Sequence, residues 1–240
     1  MGRAIAKPIT TRVIDGFHYV LPILLLPQIP STPMKKTLLL ILLILLTACS
    51  KSQKVFDKLP ADAVILAFGD SLTYGTNVNE EQSYPNVLEQ LSSHSVINAG
   101  VAGEISADGL TRLPAVLDEE QPKLLILIHG GNDILRKIPR EQTVANLTAM
   151  IAEAKKRNIK VVMLGVPALQ LFSAVGLFSL ESDPLYQQVA EAENVPIDLQ
   201  SLPEIISNRE LKSDQVHPNA QGYQRLADAI FKLLKNTGAL

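Results

Sequence analysis

Ala63-Val64-Ile65-Leu66-Ala67-Phe68-Gly69-Asp70-Ser71-Leu72-Thr73-Tyr74-Gly75 is the stretch on which the reading of this chain turns. Its apolar first half reads as a buried strand. Glycines then bracket a serine at the strand's carboxyl end, the end of an open α/β sheet where ligands bind. A serine becomes a nucleophile only with a base beside it. What matters in the rest of the chain is therefore a base, an acid to orient it and donors for an oxyanion.

Outward from that strand, helical and extended patterns alternate. Ser83–Ser93 has helical spacing (Val87, Leu88, Leu91), with Pro85 in the first turn, where a helix tolerates it. Ser95–Asn98 reads as a second strand, followed by the small-residue turn Ala99-Gly100-Val101-Ala102-Gly103. Ser106 is placed to cap a helix running to about Leu117 and stopped before Pro122. Leu124–His129 is a continuous apolar strand ending in Gly130-Gly131-Asn132-Asp133. Arg140–Asn158 is an amphipathic helix with Val144, Leu147, Ile151 and Ala154 on one face. Lys160–Val166 is a fourth strand, followed by a long apolar loop through Pro167–Ser182. A helix over Pro184–Glu193, a short fifth strand over Val195–Asp198, a loop at Asp214–Pro218 and a last helix over Asn219–Lys235 complete the chain. The alternation predicts a mostly parallel five-stranded sheet covered on both faces, a three-layer α/β/α domain. Ser71, Gly103 and Asn132 each follow a strand and should meet on one rim.

Composition narrows the partners. The 240 residues suit one α/β domain with a sizeable core. From Cys49 onward, 17 basic residues face 23 acidic ones, a net charge of −6, which argues against nucleic acid. A single cysteine excludes an intramolecular disulfide and a cysteine metal cluster. The absence of tryptophan leaves no evident platform for base stacking.

The N-terminal quarter reads as an address. Met34-Lys35-Lys36 and the apolar run Leu38–Leu46 form a signal segment, too short for a span, which needs about 20 apolar residues. Leu46-Thr47-Ala48-Cys49-Ser50 resembles the lipobox of bacterial lipoproteins, with Cys49 as the lipidated residue. The expected organisation is an upstream extension or misread start over 1–33, a lipoprotein signal over 34–48, a tether over 49–60 and the domain over 61–240.

The base and its acid come late in the chain. In Asp214-Gln215-Val216-His217-Pro218, the proline restrains His217 to extended geometry. Asp214 can curl back to accept from Nδ1, leaving Nε2 to take a proton from a serine. Candidate oxyanion donors are the backbone N–H groups of Ser71 and Gly103 and the Asn132 amide. Together, Gly69-Asp70-Ser71-Leu72, Gly103, Gly130-Gly131-Asn132-Asp133 and Asp214-Gln215-Val216-His217-Pro218 resemble the blocks of the SGNH (GDSL) hydrolases in order and spacing. The bacterial thioesterase I, lysophospholipase and arylesterase group is the most similar. That resemblance implies a flavodoxin-like fold and an esterase needing no metal or cofactor. It also implies Ser71 as nucleophile, Asp214 and His217 completing the triad, and an oxyanion hole from Ser71, Gly103 and Asn132.

Two features depart from the group. His129 stands before Gly130, where a small or apolar residue is expected, and reads as a strand-end residue. The loop after Pro167 carries Leu169, Leu171, Phe172, Val175, Leu177, Phe178 and Leu180, and reads as an apolar pocket wall or lid. Leu169, Phe172 and Phe178 are its candidate substrate contacts. The sequence thus predicts a lipid-anchored envelope esterase of acyl esters or thioesters, placed at the bacterial outer membrane on its periplasmic or surface face. Its rivals are a carbohydrate O-acetyl esterase and a non-catalytic acyl-binding lipoprotein.

Overall fold

The computed structural model describes residues 55–168 and 181–240. Cys49, the segments 1–33 and 34–48, most of the tether, and the loop residues Leu169, Phe172 and Phe178 lie outside the described residues.

Five parallel strands form one sheet: β1 (Ile65–Gly69), β2 (Val96–Gly100), β3 (Leu124–Ile128), β4 (Lys160–Leu164) and β5 (Ile197–Asp198). Their order is β2-β1-β3-β4-β5, the flavodoxin-like order. Every residue of β1 and β3 is buried, because both strands sit mid-sheet with helices above and below. The helices are α1 (Ser71–Tyr74), α2 (Tyr84–Ser92), α3 (Ser106–Glu120), α4 (Gly131–Leu135), α5 (Arg140–Lys156), α6 (Pro184–Glu193), α7 (Ser201–Ser207) and α8 (Ala220–Thr237).

The chain steps outward from β1 to β2, then reverses towards β3, β4 and β5. Right-handed crossovers send α2 to one face and α3, α5 and α6 to the other. Accordingly α2 packs against α8, while α3 packs on α5 and α5 on α6. Helix α8 buries Tyr223, Leu226, Ala227, Ile230 and Leu234 at three-to-four-residue spacing, each large apolar side chain contributing about 1.5–3 kcal/mol. The reversal between β1 and β3 opens a crevice at the carboxyl ends of the strands, with Ser71 following β1 and Asn132 following β3.

The structure differs from the sequence reading in a few places. The N-cap of α3 is Ile105, and Ser106 lies inside the helix with its hydroxyl donated to Asp133 instead of capping. The helix continues through Pro114 to Glu120, with Leu113 and Leu117 buried on either side of the proline. Strand β5 starts at Ile197, since Pro196 has no N–H and offers the sheet only its carbonyl, which accepts from Met163. Helix α7 was not expected. Its Pro203 sits in the first turn, where a helix has no use for the missing N–H.

Candidate active site

Ser71 opens α1 directly beyond β1. Asp70 caps that turn, its Oδ1 accepting from Leu72 N–H at 3.1 Å. Burial pushes the Asp70 carboxyl up, against the opposing pull of His129, the Leu72 amide and His217. Its Oδ2 lies 3.4 Å from Asn132 Nδ2, linking the ends of β1 and β3.

The loop before α8 brings the histidine to the serine. Lys212 and Pro218 form an isolated antiparallel bridge, and Ser213 N–H donates to the His217 carbonyl at 2.9 Å. Within this pinched turn Asp214 Oδ1 accepts from the Val216 and His217 amides, both at 2.8 Å. Its Oδ2 lies 2.7 Å from His217 Nδ1. Burial alone would raise the Asp214 carboxyl, but these bonds outweigh it and hold it at about 2. An ionised Asp214 only accepts, so the imidazole hydrogen sits on Nδ1. Nε2 keeps its lone pair for Ser71 Oγ, 2.9 Å away. Asn77 was not found from sequence. Its amide donates to Asp214 Oδ2 at 2.8 Å and to Ser213 Oγ at 3.1 Å, fixing the carboxylate from the far side of the site.

Gly103 occupies the third position of a turn closed by Glu104 N–H on the Val101 carbonyl at 3.2 Å. Its φ of +79° is one that glycine adopts without steric cost. Arg136 Nη2 donates to the Gly103 carbonyl at 2.8 Å. Asn132 Nδ2 donates to the Glu104 carbonyl at 3.1 Å. Beneath them Asp133, buried, accepts from Ser106 N–H at 2.8 Å, from the Ser106 hydroxyl and from Thr143 at 3.3 Å. Both glycine-rich turns are thereby tied to each other.

Ser71, His217, Gly103 and Asn132 share one cavity of about 230 Å³. Its walls are mostly apolar, with Ile134, Leu135, Val166, Ile206 and Val216 among them. Val166 and Pro167 lead into the loop whose residues 169–180 are not described, and Ala168 N–H donates to the Glu181 carbonyl at 3.0 Å across its base. His129 is wholly buried against Glu104 and does not line the cavity. Among the described residues no group of three or more His, Cys, Asp or Glu is placed to hold a metal ion.

Residues 67–225 match the profile of the GDSL-like lipase/acylhydrolase family. The esterase TesA of Pseudomonas aeruginosa is 31% identical over 184 residues, covering 73% of this chain and 89% of that protein. Thioesterase 1/protease 1/lysophospholipase L1 of Escherichia coli (strain K12) is 29% identical over 175 residues, 71% of this chain and 83% of the relative. A crystal structure of TesA is similar with a TM-score of 0.65 at 28% identity, covering 72% of this chain and 99% of its own. With a family profile spanning the whole crevice-forming region, the chain belongs to the GDSL-like lipase/acylhydrolase family, the SGNH ester hydrolases.

Proposed function

We propose that this hydrolase is a serine esterase cleaving acyl esters or thioesters with apolar acyl groups, through Ser71, His217 and Asp214. The observation that carries the reading is the Ser71 Oγ to His217 Nε2 contact of 2.9 Å, backed by Asp214 at 2.7 Å, in an apolar-walled cavity. Ser71 Oγ attacks the acyl carbonyl as His217 Nε2 takes its proton. Asp214 holds the ring in the right tautomer and stabilises the imidazolium. The oxyanion is received by the N–H groups of Ser71 and Gly103 and by Asn132. One hydrogen of the Asn132 amide is held by Glu104. The other has, among the described residues, only the long contact to Asp70, and is the donor the oxyanion takes. His217 returns its proton to the leaving alcohol or thiol, and water resolves the acyl-enzyme by the same steps in reverse.

The walls favour an acyl chain longer than acetyl, because each apolar group moved from water into such a cavity gains free energy. The test is a panel of p-nitrophenyl esters, acyl-CoAs, lysophospholipids and acetylated sugars, run with wild type and Ser71→Ala. Turnover should rise from acetyl to medium-chain esters until the cavity is filled and should vanish in Ser71→Ala. Turnover confined to acetylated sugars would favour the carbohydrate O-acetyl esterase instead.

The lipobox-like Leu46-Thr47-Ala48-Cys49 supports anchoring of this enzyme to the bacterial envelope through a lipidated Cys49. In the native host the mature protein should begin at a diacylated Cys49, read by intact mass. An unmodified start upstream of Cys49 would remove the anchor from the account.

A further inference from the structure

We infer that a buried brace of His129, Glu104 and Arg112 positions the two oxyanion donors Gly103 and Asn132, an inference that rests on the proposed reading of the Ser71 site. Glu104 follows Gly103 directly, and its side chain is 7% exposed. Its carboxylate accepts from Arg112 Nε at 2.9 Å and Nη2 at 2.8 Å, and from His129 Nε2 at 3.1 Å. Burial alone would raise this carboxyl, but the bonds from His129 and Arg112 outweigh it and hold it at about 2. Arg112 is itself fixed, donating to the Ala99 carbonyl at 3.1 Å with its guanidinium 4.2 Å above the Phe68 ring. His129 is fixed too. Its Nδ1 accepts from Gly130 N–H at 2.9 Å, so the ring hydrogen lies on Nε2 and faces Glu104. The His129 carbonyl accepts from the Tyr186 hydroxyl at 3.0 Å.

Glu104 is the residue on which both donors depend. Its carbonyl holds the Asn132 amide, and its own N–H is one peptide beyond that of Gly103. Any movement of Glu104 therefore shifts both donors together. A displacement of about 1 Å in a catalytic group is enough to cost on the order of a hundredfold in rate. Helix α3 is shaped around this brace. A Cβ on Gly109 would stand 2.4 Å from His129 Nε2 and 3.2 Å from Glu104 Oε2. A helix interior ordinarily disfavours glycine, so its presence here fits the space that the pair occupies. His129 is thus a positioning residue. It acts through Glu104 and touches no substrate.

The test uses the full chain with p-nitrophenyl butyrate, comparing His129→Leu and His129→Gln with wild type, each with a melting curve. Leucine removes the donor to Glu104, whereas glutamine can present an amide N–H where Nε2 stood. His129→Leu should lower kcat about ten- to a hundredfold with KM within about twofold, less than loss of a direct donor. His129→Gln should recover most of that loss. Wild-type kcat in a folded His129→Leu overturns the brace, as does a loss that glutamine does not restore, which would mark mere packing. If His129→Leu does not fold, the near-isosteric Glu104→Gln is read by kcat and KM. A lowered kcat at unchanged KM supports the brace and an unchanged kcat overturns it. A wild-type protein that a fluorophosphonate leaves unlabelled at Ser71 brings down the site reading itself, a separate result.

Discussion

Asp214 accepts from the Val216 and His217 amides, from Asn77 and from His217 Nδ1, so it has no need of a proton of its own. Those four donors decide the histidine tautomer and hence which nitrogen faces Ser71. Ser71, Asp214 and His217 can be picked out in the sequence because each lies in a short block that resembles one of the family's, and the fold brings the three within hydrogen-bond distance. Asn77 is not legible. It is an exposed asparagine with a φ of +71°, and its contact with Asp214 spans 137 residues, so no local pattern reports it. His129 is visible as an oddity before Gly130, but its partner Glu104 lies 25 residues away, and only the fold supplies that pairing. On the proposed reading, the second amide hydrogen of Asn132 has a long contact to Asp70 in the free enzyme and a stronger partner in the oxyanion of the transition state. Asn132→Ala should therefore lower kcat by roughly 10²–10³-fold with little change in KM. Steady-state kinetics on one ester decides this, and a raised KM at unchanged kcat would assign Asn132 to ground-state binding.

The elements that carry the site are the turns after β1, β2 and β3 and the loop before α8. The existence of the strands follows from the alternation of apolar and helical segments, whereas a flavodoxin-like order is implied only by the resemblance to the family. The exact ends follow from neither, because they depend on partners remote in sequence. Ser106 looks like a cap from its neighbours alone, yet the cap position falls on Ile105 and the serine is claimed by Asp133, 27 residues on. Helix α7 is hidden by a proline that its first turn accommodates, and α1 and α4 are too short to show a helical period. Asp133 joins the start of α3 to α4 and α5 through Ser106 and Thr143. Removing it leaves a buried N–H and two hydroxyls without their acceptor. Asp133→Ala should destabilise the domain by about 2–4 kcal/mol, lowering Tm by roughly 5–15 °C. Thermal denaturation by circular dichroism measures it, and a Tm within about 1 °C of wild type would mean that the staple contributes little.

Among the described residues three carboxylates, buried Glu104 and Asp70 and exposed Asp214, shape the response to acid. Glu104 is held at about 2, below its ordinary 4.5, so its folded form prefers the charge. Its contribution is complete above the ordinary value and is lost as pH falls from about 4.5 towards 2. Asp214, also held at about 2, adds slope of the same sign. Asp70 works the other way, because burial raises it and acid relieves the cost of its charge. Glu104→Gln should therefore flatten the fall of Tm between about pH 5 and pH 2 without abolishing it. Melting curves over that range decide it, and parallel acid limbs in wild type and variant would contradict the assignment.

The central claim is that one serine, at the carboxyl end of β1, is the nucleophile, and covalent trapping tests it most directly. The full chain is treated with an alkyl fluorophosphonate at neutral pH, digested and mapped by mass spectrometry. A single phosphonyl adduct should appear on Ser71, and it should be absent from a folded His217→Ala protein, whose serine has lost its base. An adduct on any other serine, or none on wild-type Ser71, would contradict the account.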